Sequence, residues 1–522
     1  MTSFRALIAK PALILTLVGI AALFPSLLLG PGATHSHLYN HMWTAHFGEQ
    51  MAAGHLYERW LPNSFEGLGA PTFYFYPPLA YWVSGGLHAL GLTVGQAING
   101  AGLLLLVASG LTMHAWLSTR GTYPLLGAIL YMLAPYHLYN FHVRGALAEF
   151  AALVWLPLIA LGIERLPHRR GLLLLSLSYG ALIITHLPLA VLTGVFLIGP
   201  LMARRIWQER PALLPGAAAG MIALGLSAFF LLPAATLQNH ISTVLLWGPG
   251  YRATDWSITN TNFTMFTGPA LALIILAWPA RSFWTLLTVI GALAAVRLLP
   301  FVWDIPLLNK AQFPWRMMGI VEFTAITALL SCELHRIRVH LVGGAALLIF
   351  AYALMASRTL AALHHPVDYA LIDRVMPDAP EYLPKGFDTS LVEKEYRWTD
   401  LRRFRTLPRG NEVRMKAAGR VTVHQADFPI WRVTRDGSPV PHQGPLISFD
   451  AQPGIYRIER VAIWQEEAGL AISMMAALLL GLTQFARRGA ISFAEPLNPG
   501  TPRGKAATTG LRALSGWYNH AK

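Results

Sequence analysis

The chain has 522 residues, of which 54% are hydrophobic and only 13% charged, with a mean hydropathy of +0.45. That balance excludes a string of soluble domains, whose solvated surfaces need roughly a quarter of their residues charged. The formal charge of +14 reads as basic loops beside a membrane rather than as a nucleic-acid surface, and the single cysteine, Cys332, excludes an intramolecular disulfide and any cysteine-built zinc site.

Arg5 and Lys10 precede an apolar run from Pro11 to Gly30, which reads as an uncleaved first helix entering from the cytoplasm, because no small-x-small cleavage pattern follows. Residues 31–71 then form a long first outer loop. The apolar stretch 77–92 opens on Pro77 and Pro78, contains Gly85 and Gly86 and is short for a span, so it is expected as a juxtamembrane helix on the outer face. Further spans are expected at 97–117, 122–139, 148–163, 171–185, 187–203 and 212–236, then at 266–280, 283–299, 318–335 and 340–357. With a last helix at 466–485 the total is about twelve.

Alternating these spans places Arg120, Arg165, Arg169, Arg170, Arg204, Arg205, Arg210, Arg281, Arg336, Arg338, Arg487 and Arg488 inside. Arg59, Arg144, Arg252, Arg297, Lys310 and Arg316 stay outside, a positive-inside bias that adding or removing one central span would destroy. Residues 358–465 are mostly polar. Within them Val421 to Val433 and Leu446 to Val461 alternate like strands, with turn signals at Asp436-Gly437 and Pro453-Gly454. The expected fold class is therefore an α-helical polytopic membrane protein: a transmembrane module over 1–357, a small extracytoplasmic β-rich domain over 358–465, the last helix, and a cytoplasmic tail over 486–522. Both termini are cytoplasmic in this reading.

With that topology the chemistry-bearing residues collect on the outer side. The first loop carries His35, His37, His41, His46, Glu49, Glu58, Arg59 and Trp60, followed by the aromatic run Phe73 to Tyr76. Arg144 and Glu149 lie in the stretch across the third and fourth spans, and His186, Asp304, Lys310 and Gln312-Phe313-Pro314-Trp315-Arg316 come later. Ionisable groups at membrane depth are costly, which points to function.

Each group also has a structural reading. His37 and His41, four residues apart, share a helix face and with His35 permit a divalent metal; solvated interfacial histidines are the alternative. Arg144 and Glu149 either pair only to lower each other's burial cost or belong to an active site. His186, just ahead of Pro188, either bonds a freed carbonyl or faces a ligand. Arg316 has a forked donor set suited to phosphate, and Trp315 suits an interface. Tyr74 and Tyr76 offer flat faces to sugar rings, or anchor the loop among lipid headgroups.

In chain order, Gly54 to Trp60 leading to Gly67-Leu68-Gly69-Ala70-Pro71, Phe75-Tyr76-Pro77-Pro78-Leu79, Arg144-Gly145-Ala146-Leu147-Ala148-Glu149, Thr185-His186-Leu187-Pro188 and Gln312-Phe313-Pro314-Trp315-Arg316 form a recognisable set. With Phe428-Pro429-Ile430-Trp431-Arg432 before the last helix, the chain resembles the GT-C superfamily of multi-pass glycosyltransferases. Within it the chain is similar to the bacterial membrane proteins labelled 6-pyruvoyl-tetrahydropterin synthase-related. The resemblance implies a bacterial inner-membrane enzyme with a periplasmic active face, moving a sugar from a polyprenyl-phosphate carrier to a glycan, lipid or protein acceptor.

Such a transfer needs a base for the acceptor hydroxyl and positive charge for the departing phosphate. Arg144, Arg316, Gln312 and His186 are the expected donor-phosphate contacts, and Tyr74, Tyr76, Trp60 and Trp315 the expected sugar contacts. The superfamily's base is an acid in the first outer loop, where this chain has His37, so His37, Glu149 and Glu58 are the catalytic candidates. A lipid-linked glycan ligase or polymerase, a flippase, and a catalytically silent assembly partner are the competing readings.

Overall fold

Apolar length decides which helices can cross a bilayer, since a helix of about 20 residues spans about 30 Å. The computed structural model describes residues 2–120, 123–256, 261–331, 367, 369–392 and 401–485. Cys332, Arg336, Arg338, the expected span 340–357 and the tail 486–522 lie outside the described residues. Among the described residues five helices have the required length and composition: Lys10–Leu29, Val94–Ser118, Leu147–Glu164, Leu187–Gln208 and Trp464–Thr483. Leu13, Leu17, Phe24 and Leu28 on the first, and Leu470, Met474 and Met475 on the last, are exposed. Apolar surface of that extent is solvated by lipid. The protein is a mostly helical membrane protein with a small β unit.

Several other expected spans are shorter or broken. Arg210–Leu226 and Ala228–Thr236 meet at a 69° bend. Ser227 stands at the joint, its hydroxyl donating back to the Ala223 carbonyl at 2.9 Å and across to Gly180 at 3.1 Å, a bonding pattern that bends helices. The run 122–139 breaks after the nine-residue helix Pro124–Met132, because Pro135 supplies no N–H and disfavours helical geometry at Ala134. A new short helix, Pro135–Tyr139, then runs into a π-turn at Asn140–Arg144. Arg169–Ile183 has 15 residues, Phe283–Ala295 has 13 and Met318–Leu330 has 13, every one of the last buried. Hydropathy counts apolar length and does not register where the backbone ladder breaks.

The stretch expected as a juxtamembrane helix forms Leu79–Ala89, 11 residues long, or about 16 Å and half the hydrocarbon thickness. It packs against His37–Ala52 of the first loop. Their crossing requires glycine: a Cβ at Gly48 would sit 2.8 Å from the Gly85 carbonyl oxygen, and one at Gly85 would sit 3.0 Å from the Gly48 nitrogen.

The β unit consists of β1 (Glu412–Met415), β2 (Gly419–Ala426), β3 (Trp431–Arg435), β4 (Ser438–Val440), β5 (Leu446–Ala451) and β6 (Gly454–Arg460). They make an antiparallel sheet in the order β1-β6-β3-β4 and a second pair, β2-β5. Alternate residues Val421, Val423, Val433, Phe449, Tyr456 and Ile458 fill the core between them. Asp436 and Gly437 both have positive φ and close the β3–β4 hairpin. The stretch Val421 to Val433 is divided at Pro429, because proline cannot donate to a ladder, and Leu446 to Val461 turns at Pro453-Gly454, where its turn signal lies.

The first loop is not a separate module. Its segment 57–71 is riveted to the β unit: both Glu58 carboxylate oxygens accept from Arg460 at 2.6 and 2.8 Å, Glu66 pairs with Arg405 at 2.6 Å, and the Ala426 N–H donates to Leu68 O at 2.7 Å. Phe65 and Glu66 hold left-handed backbone there, at φ 55° and 56°, a strain of about 1–3 kcal/mol each that these contacts sustain.

Candidate functional site

The π-turn at Asn140–Arg144 widens one helical turn, and Gly145 then reverses the chain at φ +61° before Leu147–Ala152. Only glycine fits, since a Cβ would meet Thr34 Oγ1 at 2.1 Å. The first loop is pinned at this place. The His35 N–H donates to Val143 O, the Ser36 N–H to Arg144 O at 3.0 Å, and Asn40 Nδ2 to Gly145 O at 2.6 Å.

The reversal turns Arg144 back toward Glu149. Arg144 Nη1 donates to Glu149 Oε2 at 2.8 Å, to Asn140 Oδ1 at 2.6 Å and to the Tyr136 hydroxyl oxygen at 2.9 Å. Arg316, delivered by the Pro314–Met317 turn, donates from Nε to the same Glu149 oxygen at 3.4 Å. Tyr136 donates its hydroxyl proton to the other oxygen. His186 accepts from the Leu189 N–H at Nδ1, so its Nε2 carries the proton, 3.8 Å from Glu149 Oε2. Glu149 is 1% exposed, His186 7% and Arg316 8%.

Residues spread over 180 positions thus close on one carboxylate. Their charges do not cancel: two guanidinium groups face one carboxylate, and among the described residues no second carboxylate pairs with Arg144 or Arg316. The buried group carries one positive charge in excess. Neither arginine uses its Nη2 in these bonds. Gln312 serves Arg316 rather than facing outward, its Oε1 accepting from Arg316 Nη1 at 3.2 Å while its Nε2 donates to Leu246 O.

His37 lies at the start of the helix that approaches this turn. Its Nδ1 is bonded to Thr34 O. A carbonyl only accepts, so Nδ1 holds the proton and Nε2 is the ring's acceptor in the neutral form. Burial pushes its pKa down, the Thr34 carbonyl opposes this, and nearby His41 lowers it further. His37 and Asn40 line a small cavity of about 30 Å³ with Thr34, Asn99, His142 and Gly145. Tyr76, half-buried, packs on Trp43 at 4.5 Å. Burial pushes its hydroxyl up to about 12, with Arg316 and Arg144 opposing and Glu149 adding to the rise.

Other expected site residues are engaged elsewhere. Glu58 is bonded to Arg460 and to the Trp60 N–H, which makes it a tie to the β unit. Trp60, 4% exposed, sits between Phe428 and Trp431, and Tyr74, 1% exposed, donates to Glu466 Oε1 at 2.7 Å. Neither presents a ring to a sugar. Trp315 is stacked between Phe313 and Phe266, with Trp256 edge-on. His35, His37 and His41 do not form a ligand set: His41 is bonded to Asp373 at 2.8 Å, and among the described residues no three His, Cys, Asp or Glu side chains converge on a metal position.

Tyr136 and Asn140 belong to the cluster although the sequence reading gave them no role. Their spacing of eight and four residues before Arg144 puts them on its helix face and was the available signal. Asp378 gave no such signal. It is 1% exposed and accepts from Trp43 Nε1 at 2.9 Å, Ser64 Oγ at 2.7 Å, Thr72 Oγ1 at 2.6 Å and its neighbour's N–H at 2.7 Å.

Residues 98–241, well under half of the chain but including Arg144, Glu149 and His186, match the family described as Bacterial membrane protein YfhO. No curated protein matches the chain. Among solved structures it is similar to the cryo-EM structure of the arabinofuranosyltransferase AftD from Mycobacteria, at 18% identity and a TM-score of 0.44 over 69% of this chain and 27% of that one. A mutant form of the same protein aligns at 18% identity and a TM-score of 0.41, over 69% and 28%. The chain spans little more than a quarter of the length of AftD.

Proposed function

We propose that this protein is a glycosyltransferase of the bacterial inner membrane that takes a sugar from a polyprenyl-phosphate carrier at the periplasmic face. The observation that carries this reading is the excess positive charge of the buried Arg144–Glu149–Arg316 cluster. Buried charge is costly unless paired, so an anion completes the group, and the two guanidinium edges left unbonded among the described residues offer charge-assisted donors worth about 1.5–3 kcal/mol each. The ordered motifs shared with the GT-C superfamily point to a lipid-linked phosphate as that anion.

Glu149, already accepting from two arginines and Tyr136, is the internal counter-ion of this site and not its base. The base is His37. Its neutral ring holds a lone pair at Nε2, and its loop is pinned to the Arg144 turn. In the transfer the acceptor hydroxyl oxygen bonds to the sugar's anomeric carbon, the bond from that carbon to the phosphate oxygen breaks, the hydroxyl proton passes to His37 Nε2, and the lipid phosphate leaves as an anion held by Arg144 and Arg316. Tyr76 shapes the sugar's seat.

The 69° bend at Ser227 favours a second reading, a lipid-linked glycan flippase, because broken helices accompany transport. Purified protein in vesicles with a labelled polyprenyl-phosphate sugar separates the two. Transfer to an acceptor that is lost in Arg316→Gln and in His37→Ala supports the enzyme. Translocation of intact donor without transfer supports the flippase, and donor binding unchanged in Arg316→Gln refutes the anion site.

A further inference from the structure

Glu322 lies in the middle of the wholly buried helix Met318–Leu330 and is 0% exposed, six residues beyond Arg316. A carboxylate so placed is expected to face a cation. Among the described residues it faces none. Its two oxygens instead accept backbone N–H groups of another segment, Tyr136 at 2.6 Å and His137 at 3.2 Å. Those N–H groups open the short helix Pro135–Tyr139 and have no partner within it. The local residue that would ordinarily bond them is Ala134. Its backbone is already extended at φ −62° and ψ 142°, and its carbonyl takes the first helical bond from Leu138, but its side chain has no acceptor.

The bond pair therefore ties the helix Met318–Leu330, which follows the turn that carries Arg316, to the segment that presents Tyr136, Asn140 and Arg144. Each of the two tied segments supplies one arginine to Glu149. We infer that Glu322 is a positioning residue that sets the separation of the Arg144 and Arg316 guanidinium groups, and through it the fit of the anion between them. The inference deepens the function proposed above and rests on it for its ligand. Its structural half, the clamping of residues 135–144, is readable without any ligand.

The test uses the full chain in lipid nanodiscs, with polyprenyl phosphate as the binding probe and hydrogen exchange as the structural readout. In Glu322→Leu the Tyr136 and His137 amides lose their acceptors. Their exchange rises, exchange in the β unit stays as it was, and the probe binds about tenfold more weakly, the consequence of two orphaned donors loosening one arginine. Glu322→Gln retains one amide oxygen and shows a smaller loss of both. The decisive arm is the double variant Glu322→Leu with Ala134→Ser, in which a hydroxyl at a position of capping geometry bonds an orphaned N–H locally and restores slow exchange there, but not the tie to the helix Met318–Leu330, so binding stays weak.

If Glu322→Leu binds and exchanges as the parent does, the inference is overturned. It is equally overturned if Ala134→Ser restores full binding along with slow exchange, because the local cap and not the tie between the two elements would then set the fit. Where Glu322→Leu does not fold, Glu322→Gln decides: unchanged exchange at both amides and unchanged affinity overturn the role. A parent protein that binds no polyprenyl phosphate brings down the proposed function, while faster exchange over 135–144 in Glu322→Leu with recovery by Ala134→Ser would still establish the clamp.

Discussion

Glu149 and Asp378 are both carboxylates buried to 1% exposure, and both gather residues from distant parts of the chain, yet their surroundings differ in kind. Glu149 faces two guanidinium groups, so its neighbourhood carries excess positive charge. Asp378 faces four neutral donors, two on each oxygen, and among the described residues no cation. The second arrangement is complete as it stands. It knits Trp43 and Ser64 of the first loop, and Thr72 just beyond it, to the segment around Asp378. The first arrangement is left with a net positive charge, which the function proposed above fills with an anion. Burial and a dense hydrogen-bond network therefore do not distinguish a structural acid from one in a binding site; the charge balance around it does.

The same chemical change should break the two sites unequally. Glu149→Gln removes the one negative charge that, among the described residues, faces Arg316 and the part-buried Arg144, and should destabilise the ligand-free protein by about 3–5 kcal/mol. Asp378→Asn can keep all four bonds, its amide oxygen accepting from Trp43 and the Ala379 N–H while its NH₂ donates to the Ser64 and Thr72 hydroxyls. Its cost should stay below about 1 kcal/mol. Thermal melts of the two variants check this, and comparable losses in both would undo the distinction. Added polyprenyl phosphate should raise the melting temperature of the parent and of both variants, and most in Glu149→Gln, where two guanidinium groups are left without their carboxylate.

Removing one arm of the excess charge gives the next effect. Arg316→Gln should weaken polyprenyl phosphate binding about a hundredfold, since a buried charged contact is lost, and Arg316→Lys should fall between, keeping charge but losing the fork. Asp378→Asn should leave that affinity unchanged. Equilibrium binding in nanodiscs measures all three, and a lysine variant as weak as the glutamine one would show that geometry alone carries the contact.

A smaller contrast lies in pH. Burial holds the Asp378 carboxyl above its usual 3.8, with the Thr72, Ser64, Ala379 and Trp43 donors opposing. The folded protein thus keeps a proton that the unfolded chain releases. The stability tied to this group is present below the unfolded value and is lost as pH rises through the folded one. Asp378→Asn has no such proton, so its stability relative to the parent should improve as pH rises out of the acid range. Denaturant midpoints of the pair across pH 4 to 8 test the sign, and a difference that moves the other way would mean the carboxylate is stabilised as an anion.

Much of the cluster was legible because its signals are local. Arg144 and Glu149 are five residues apart, Gln312 and Arg316 four apart, and each lies in an otherwise apolar stretch where a charge is conspicuous. What was not legible depends on pairing across the chain. Glu58 belongs to Arg460, Tyr74 to Glu466, and Asp378 to Trp43, at separations of 402, 392 and 335 residues. Nothing in the composition around Trp60 shows that Phe428 and Trp431 will cover it. The helices follow the same division. Long apolar runs at 10–29 and 94–118 fold as such, whereas the run 122–139 is interrupted where Glu322, from far along the chain, supplies the bonds that Pro135 and Ala134 cannot.

The smallest effect is expected where charges balance one to one near the surface of the β unit. His442 Nδ1 lies 3.3 Å from Asp427 Oδ1, and its Nε2 is bonded to Trp431 O at 3.1 Å. Both neighbours only accept, so the ring is best satisfied with both nitrogens protonated. Asp427 raises its pKa above the usual 6.5, burial opposes, and the Trp431 carbonyl adds to the rise. Because the folded state holds this proton more tightly than the unfolded chain, the stabilisation is fully present below pH 6.5 and is lost as pH rises through the folded value. For a half-buried pair it amounts to about 0.5–1 kcal/mol. Hydrogen exchange over residues 427–446 should accelerate between pH 5.5 and 8.5, after correction for intrinsic rates, in the parent and not in His442→Gln. Exchange at Tyr136 and His137 should not respond to His442→Gln, because the balanced pair is spent locally whereas the arginine cluster is held through the helices, and a response there would join two regions that the charge arithmetic keeps apart.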